Sequence, residues 1–439
     1  MSLRRSLSIC CLGAWSLLAQ APSIEVGFQE RVRSESWDNL ADHRSATPDF
    51  RTQYRFRTRL WVVAPLGRDL TFAAGLVNEN RKLVRPDQAV HGREIAFETL
   101  YLDWRPAPAW SLRAGRQTLM RGDGFVLWDG GALDGSRTAY VNALDLAWTG
   151  GDLRIELLAI SDPSRDRYLP RLNEARNPRE RLLLNERDEA ALGVYATWQK
   201  GGRDLQAYTF HKTERRDIRA ASDPLFVPDR RIDTVGVRLS EKLGHGLSAA
   251  AEGAVQSGRQ EGRPGTAEAP STIRAWGAQA RLTWASGQAH HPEASLGWVG
   301  LSGDDAATRA REGWDPLFSR WPKWSELYVY SQVPESGVAT WSNLRMWEAT
   351  VQARPAERLG LRASVFWLRA FRPASTPGPV FAPGLGRGRI LELRADLRLS
   401  DQWQGHLLYE RLDPGSFYTG RDPGRFFRVE AIYTLGRRR

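Results

Sequence analysis

The stretch RTQYRFRTRLWVV, from Arg51 to Val63, carries cations on one side and apolar side chains on the other. The cations of one parity are Arg51, Arg55, Arg57 and Arg59. Tyr54, Phe56 and Leu60 occupy the other parity. Guanidinium groups bind carboxylates bidentately and keep their charge at all relevant pH values. A row of this kind could therefore bind an anionic solute while its other face contacts apolar surroundings.

The same pattern of arginine and carboxylate residues recurs along the chain. The further candidates for a charged face are Arg154, Arg362, Arg394, Arg398, Glu252, Glu392 and Asp396. For any single arginine, a structural ion pair is about as good an interpretation as a role in guiding a ligand. The excess of arginine nevertheless favours an anionic solute, and many weak sites would let a polyanion move along the face.

These residues lie in segments of about ten residues that alternate apolar and polar side chains and are separated by turns. The clearest are Arg51–Val63, Trp110–Gln117, Leu153–Ile160, Ala190–Trp198, Leu247–Val255, Leu359–Trp367, Ile390–Leu399 and Phe427–Leu435. About 18 segments can be counted, an even number as bacterial outer-membrane barrels require. The pattern predicts β-strands throughout.

The connections between segments alternate in length. Eight short turns, such as Gly150-Gly151 and Gly201-Gly202, separate nine long loops, of which Ser302–Thr340 is the longest. Short periplasmic turns and long extracellular loops are typical of outer-membrane proteins. The sequence predicts an all-β fold: one transmembrane antiparallel up-and-down barrel of about 18 strands, with both termini on the short-turn side.

In such a barrel one face of each strand contacts lipid and the other faces the lumen. An arginine facing lipid at the midplane costs about 2–4 kcal/mol, so the arginine rows are expected to point into an aqueous lumen. Tryptophans near strand ends would form the interfacial girdles. They are Trp61, Trp104, Trp110, Trp148, Trp198 and Trp403. The alternative is a soluble β protein whose polar face is its solvated surface.

The N-terminus has the order of a secretory signal. Arg4 and Arg5 precede an apolar run from Leu7 to Leu18, and Ala19-Gln20-Ala21 is a small-x-small cleavage site. The predicted organisation is a signal peptide over residues 1–21 and a barrel over 22–439. A buried N-terminal helix is the alternative. Both cysteines lie in the signal, so the mature chain would contain no disulfide.

Composition excludes several function classes. The formal charge of +11 favours anionic partners, but the arginines are dispersed and no nucleic-acid-binding signature appears. No G-x-S-x-G nucleophile elbow and no phosphate-binding glycine loop are present. The His290-His291 pair sits in a short turn, where solvation is a better interpretation than metal binding. We therefore expect no enzymatic activity, no metal, no cofactor and no nucleic-acid partner.

Five short motifs, in order along the chain, resemble the alginate-export family of outer-membrane barrels. They are RAGRQTL at Arg113–Leu119 with Gly122-Asp123-Gly124, LDGSR at Leu133–Arg137, E-x-A-x-Q-x-G from Glu252 to Gly258, Ser302-Gly303-Asp304 with Trp314–Phe318, and Glu392 and Asp396 with Asp413–Phe417. The resemblance spans about residues 25–436. It implies an 18-stranded barrel with an arginine-rich lumen that passes an anionic polysaccharide.

By matching motif, the resemblance makes Arg113, Arg116 and Arg137 the first candidates for lumen lining. Strict alternation from Arg113 would turn Arg116 outward unless a bulge intervenes.

The functional prediction is a passive conduit in the bacterial outer membrane for export of an anionic, alginate-like polysaccharide. Its expected partners are the polymer or another anionic solute, outer-membrane lipid, the barrel-insertion machinery and periplasmic export proteins. One alternative is a diffusion porin for small anions. Another is a barrel enzyme or surface glycan-binding protein that uses the tryptophan-rich region Trp314–Trp341.

Overall fold

A computed structural model describes residues 24–90, 95–128, 140–169, 172, 185–223, 226–319, 324–327, 342–374 and 378–436. The predicted signal peptide lies outside these residues. Among the described residues, no helix has the length and apolar character needed to cross a lipid bilayer.

The described residues form eighteen β-strands, which confirms the predicted fold class. The strands are β1 Glu25–Asp38, β2 Arg51–Pro65, β3 Leu70–Arg85, β4 Ile95–Ala107, β5 Trp110–Gln117, β6 Val141–Gly150, β7 Leu153–Asp162, β8 Asp188–Lys200, β9 Arg203–Arg215, β10 Arg230–Gly244, β11 Leu247–Gln260, β12 Ser271–Ala285, β13 Glu293–Leu301, β14 Leu344–Ala356, β15 Leu359–Arg369, β16 Gly386–Arg398, β17 Trp403–Pro414 and β18 Gly424–Leu435.

The strands close into an up-and-down antiparallel barrel. Each strand pairs with its neighbours in sequence, and β1 pairs with β18 from Phe28↔Leu435 to Asp38↔Arg425. Closure gives each of the eighteen described strands two partners, so that none of them is an open sheet edge. A lipid environment requires this because it offers the backbone no hydrogen bonds.

Loop lengths alternate as the sequence predicts. The β8–β9 connection is a two-residue turn through Gly201 and Gly202, whose φ angles of 58° and 85° suit a hairpin turn that other residues adopt poorly. The β13–β14 connection, by contrast, runs from Leu301 to Leu344. The short turns lie at one end of the barrel, together with the start of β1 and the end of β18, and the long connections leave the strands at the other end.

The outer surface is a band of exposed apolar side chains. Leu157, Leu192, Leu361 and Leu393 belong to it, and each is more than a third exposed. Trp104, Trp110 and Trp403 project outward near the short turns, where an interfacial girdle belongs. Trp61 differs from the girdle expectation. It has the parity of Arg55–Arg59 and lies over Gly27 of β1, so it belongs to the inner face.

The barrel interior is not purely aqueous, contrary to the sequence expectation. Buried apolar side chains on the inner face form a continuous cluster with apolar residues of two long connections. The wall contributes Phe210, Ile232, Ile273, Leu344, Met346, Phe366, Leu368, Ile390, Leu408 and Leu412. These residues lie toward the long-loop ends of their strands. At these ends the inward-facing positions, which are polar elsewhere along the strands, carry apolar side chains. The lumen is therefore partly filled by the protein itself.

A charge on the outer face should destabilise the barrel. Leu393→Arg places a cation among the exposed apolar side chains of β16, and we expect the free energy of unfolding to fall by about 2–4 kcal/mol. Urea unfolding in lipid vesicles, followed by the heat-dependent gel shift of folded barrels, measures the change. The control Leu393→Ala keeps the face apolar and should lose much less stability. Equal losses for the two variants would contradict the assignment of this face to lipid.

Candidate conduit and its inner wall

The arginine row of β2 lies on the inner face, against carboxylates of neighbouring strands. Arg55 donates to Glu79 of β3 at 3.0 Å and lies 3.3 Å from Glu35 of β1. Arg59 pairs with Glu98 of β4. Arg55 and Arg59 are 7% and 2% exposed. The row is thus built into a lattice of ion pairs.

Arg57 lies between these pairs and is 1% exposed, and its Nη2 donates to Gln29 of β1 at 3.0 Å. Arg51, the fourth member of the row, begins β2 at the long-loop end and is exposed. The row therefore extends from an accessible mouth into a covered part of the wall.

Strands β1 and β18 extend the cationic wall beside β2. The Nε atoms of Arg33 and Arg428 donate to Glu430 and Glu35, respectively, the second at 2.8 Å. Arg31 approaches Glu430 at 3.8 Å. The sequence prediction did not include these three arginines, although they occupy alternate positions as those of β2 do. Barrel closure between β1 and β18 brings the two groups together.

A second group of predicted residues lines a cavity of about 730 Å³ at the short-turn end. Arg113 of β5 donates to Asp103 at 2.6 Å, and Arg154 of β7 donates to Glu156 at 2.8 Å. Both guanidinium groups are more than a third exposed, so they face the cavity while paired. This part of the wall offers accessible cations to a solute entering from the short-turn side.

A third group surrounds a cavity of about 530 Å³ near the turns that join β14 to β15 and β16 to β17. Arg362 donates to Glu392, at 3.1 Å from its Nε, and Arg394 donates to Asp396 at 2.9 Å. Arg398, 68% exposed, donates to Asp401 in the adjoining turn. The same cavity is lined by two arginines that the sequence prediction missed, Arg354 and Arg358. The arginines here outnumber the lining carboxylates.

Glu252 of β11 has a different environment. It is buried and accepts hydrogen bonds from Tyr208 at 2.9 Å and Gln279 at 3.1 Å. Tyr208 belongs to β9 and Gln279 to β12, so Glu252 of β11 links three strands of the inner face.

Arg116 is enclosed rather than open to the lumen. Its partner across the β4–β5 pairing is Leu100, which shares the parity of exposed Leu102. The register therefore turns Arg116 toward the outer side. Gly115, the residue before it, has a positive φ of 128°. Arg116 is still only 1% exposed, because it lies over Tyr140 and donates to Asp166 of the β7–β8 connection at 2.8 Å. Arg137, its companion in the motif prediction, lies outside the described residues.

The Arg116–Asp166 contact ties the start of the β7–β8 connection, residues 163–169, to β5. Burial works to raise the pKa of Asp166, but the hydrogen bond and charge of Arg116, with the N–H groups of Leu169 and Tyr168, outweigh it and lower the pKa. A carboxyl whose pKa is lowered by folding stabilises the fold at neutral pH and loses that effect as the pH falls through the lowered value. The contact between Asp166 and Arg116 therefore contributes most at neutral pH.

Two long connections fold into the barrel and form what we call the lumen plug: residues 118–128 between β5 and β6, with residues 314–319 and 324–327 between β13 and β14. The two meet at a parallel bridge, where Phe318 N–H donates to Val126 O at 3.0 Å. Trp314 stacks on Phe125 with ring centroids 5.0 Å apart. The plug thus has an apolar core of its own.

The wall is shaped to receive this core. A Cβ on Gly277 of β12 would lie within 3.0 Å of both Trp314 and Phe125, so only glycine lets the two rings lie against the strand. Trp314 is 2% exposed and cannot present its ring to a sugar. Trp324, the other described tryptophan of Trp314–Trp341, is partly buried and packs against Phe366 of β15 with ring centroids 5.3 Å apart.

Polar contacts anchor the plug to one side of the wall. Lys212 of β9 donates to Leu317 O at 3.0 Å, and Gln256 of β11 exchanges two hydrogen bonds with the backbone of Asp315, at 2.7 and 3.0 Å. Arg121 of the plug pairs with wall carboxylates on β6 and β7. These contacts attach the plug to the side of the barrel formed by β6 to β11.

Glu410 of β17 anchors the plug on the opposite side. It is fully buried and accepts hydrogen bonds from Ser325 Oγ at 3.0 Å and from the N–H groups of Glu326 and Leu327 at 3.1 and 2.6 Å. The plug thus spans the lumen from β9–β11 to β17. Sequence reasoning gave no anchor for it. The available signal was the apolar inward residues near Phe366 and Ile390, which an open aqueous lumen does not explain.

The sequence belongs with known transport barrels. The family described as "Alginate export" matches residues 23–425, nearly the whole chain. None of the curated proteins matches.

Solved structures with the same fold come from Pseudomonas aeruginosa. OccK2 (OpdF) in complex with glucuronate is 11% identical, with a TM-score of 0.56 over 94% of this chain and 96% of that one. OpdQ is 9% identical, with a TM-score of 0.57 over 95% and 100%. The outer membrane protein OprD is 9% identical, with a TM-score of 0.54 over 94% of each chain. At these identities the likeness establishes the fold.

Removing the Glu410 carboxylate should loosen the plug. Glu410→Ala deletes three hydrogen bonds to one buried carboxyl group, each contributing about 0.5–1.5 kcal/mol. We expect a several-fold higher single-channel conductance in planar bilayers. Glu348→Ala is the matched control, because Glu348 is also a buried inner-face carboxylate but pairs with wall residue Arg281. A conductance rise of the same size in the control would contradict the anchoring role of Glu410.

Proposed function

This chain belongs to the alginate-export family of bacterial outer-membrane β-barrels, and we propose that it exports an anionic, alginate-like polysaccharide through its arginine-bearing lumen. The observation that carries the proposal is the set of inner-face arginines that begins in cavities at the short-turn end and continues along β2. Guanidinium groups are suited to uronate carboxylates, because their planar donors match both carboxylate oxygens.

In this proposal the short turns face the periplasm, and the polymer enters there. Arg113, Arg154, Arg362, Arg394 and Arg398 offer it a series of weak, partly neutralised cationic sites. A chain of weak sites favours movement over retention, since a polymer that binds one site tightly would block the pore. Transport is passive and follows the gradient set by periplasmic export partners. The function requires no catalytic residue, metal or cofactor.

The proposal keeps the predicted organisation. Residues 1–21 direct secretion and residues 22–439 form the barrel, which the barrel-insertion machinery places in outer-membrane lipid. Arg51, Arg55, Arg57 and Arg59 continue the row along β2 toward the extracellular mouth, where Arg51 is exposed. Arg137 stays a candidate on its motif alone. Glu252, Glu392 and Asp396 hold the wall in place and moderate its positive potential.

A diffusion porin for small anions is the second candidate. OccK2 (OpdF), which shares the fold, was crystallised with the small uronate glucuronate. The lumen plug also narrows the interior, which suits a small solute better than a polymer. Both candidates use the same cations, so the length of the transported molecule separates them.

The cationic cavity of about 530 Å³ supplies the test of function. Combined Arg362→Gln, Arg394→Gln and Arg398→Gln changes remove charge-assisted hydrogen bonds to carboxylate. Release of fluorescent oligouronates from vesicles should fall about tenfold or more. Oligomers of increasing length measure polymer passage, and neutral dextrans of equal length measure leakage.

Arg421→Gln is the control, because Arg421 is exposed in the β17–β18 connection away from the inner wall. It should leave release unchanged. Release of uronate monomers without any release of long oligomers, even when Glu410→Ala loosens the plug, would favour the porin. Equal release of oligouronates and neutral dextrans would contradict both candidates.

A further inference from the structure

The lumen plug carries carboxylates that occupy arginines of the inner wall. Asp123 of the plug receives a bidentate contact from Arg238 of β10, with both N–O distances 3.1 Å. Asp315 pairs with Arg230 at the start of β10. These two ion pairs come in addition to the hydrogen bonds by which Lys212, Gln256 and Glu410 hold the plug backbone.

The third contact lies on the opposite wall. Arg428 of β18 donates to Glu326 of the plug at 2.8 Å. The same guanidinium group also donates from its Nε to Glu35 of β1 at 2.8 Å, and its Nη2 lies 2.6 Å from Glu35, so Nη2 is shared between a wall carboxylate and a plug carboxylate. Arg230 also contacts both, with wall residue Glu214 at 2.8 Å and plug residue Asp315.

Each of these arginines is thus shared between the wall and the plug. The wall carboxylates Glu35 and Glu214 sit on paired strands and cannot leave without breaking the barrel. The plug carboxylates belong to connections, which can move as units when their anchors loosen. A carboxylate that leaves with the plug exposes donor groups already held in a geometry that binds carboxylate.

We propose that Arg230, Arg238 and Arg428 are carboxylate-binding subsites of the conduit, occupied in this structure by Asp315, Asp123 and Glu326 as internal competitors of the cargo. The inference rests on the proposed function and deepens it, because it assigns the subsites and the chemical class of their ligand: the carboxylates of a polyuronate. A polyuronate that displaces the plug replaces each carboxylate with its own, so cargo binding and plug release become one exchange. Competition of this kind lowers the apparent affinity of the subsites in proportion to the fraction of time the plug occupies them.

The test removes the competing charges and leaves the wall intact. Asp123→Asn, Asp315→Asn and Glu326→Gln are combined in the full-length protein in planar bilayers. Oligouronate block of the ion current gives the affinity, and uronate monomer is the second probe. Because the competitor is lost while the arginines remain, we expect oligouronate and monomer to bind about tenfold more tightly than to the wild type.

Two variants separate competition from simple loosening. Gln256→Ala removes the hydrogen bonds to the Asp315 backbone but keeps the carboxylate, so the plug loosens while its competitor charge remains. It should raise conductance with a much smaller gain in affinity. Asp305→Asn is the matched carboxylate control, because Asp305 pairs with Arg372 of the β15–β16 connection at 2.9 Å, outside the wall. It should change neither quantity.

Adding Arg230→Gln, Arg238→Gln and Arg428→Gln to the triple variant should abolish the gain in affinity. The subsite assignment is overturned if the triple variant binds uronates no more tightly than Gln256→Ala, or if the arginine changes leave the gain intact. Failure of the export function gives a different result: both probes bind the triple variant more tightly, but vesicles containing it release monomer and retain long oligomers.

Discussion

The structure depends on one constraint, which is that the backbone of every strand must be fully hydrogen-bonded inside a solvent that offers no hydrogen bonds. Closure of β1 onto β18 satisfies it, since an open edge would expose a row of N–H and C=O groups to lipid. Closure also fixes the two faces of every strand. Leu393 must face outward because Glu392 and Arg394 face inward, and a slip of one residue would exchange them. The position of each charge in the interior therefore follows from the register of the sheet.

Placing so many charges inside a barrel creates a second requirement, because each buried ion needs partners. The wall supplies them across strands: Arg55 reaches Glu35 and Glu79, and Arg59 reaches Glu98. Such pairs hold guanidinium groups at fixed positions but also reduce their attraction for a solute. The two cavities at the short-turn end differ in this respect, since arginines there remain partly exposed while paired. The interior thus combines a covered, structural set of ion pairs with an accessible set at the short-turn end of the barrel.

Features that depend on interactions between residues close in sequence could be predicted, and features that depend on distant residues could not. Strand number, loop alternation and the inner position of Arg55, Arg57 and Arg59 depend on a local period of two, which is visible in a single segment. The partners of these arginines depend on register between strands that are distant in sequence, such as Arg33 with Glu430. No local pattern encodes that pairing. Arg116 shows the limit of alternation, because its register turns it outward while a loop residue, Asp166, encloses it.

The lumen plug was not predicted because its determinants are spread over the whole barrel. Four wall residues on four different strands have contacts that only the plug explains. They are Gly277, Lys212, Gln256 and Glu410. A large barrel cannot fill its lumen with wall side chains alone, so an unfilled interior would contain water from one mouth to the other. Apolar inner-face residues such as Ile390 and Phe366 would then be exposed to that water at a cost proportional to their area. Their burial against the plug explains why a charged inner wall keeps an apolar sector, and it ties the filling of the lumen to the packing of the fold.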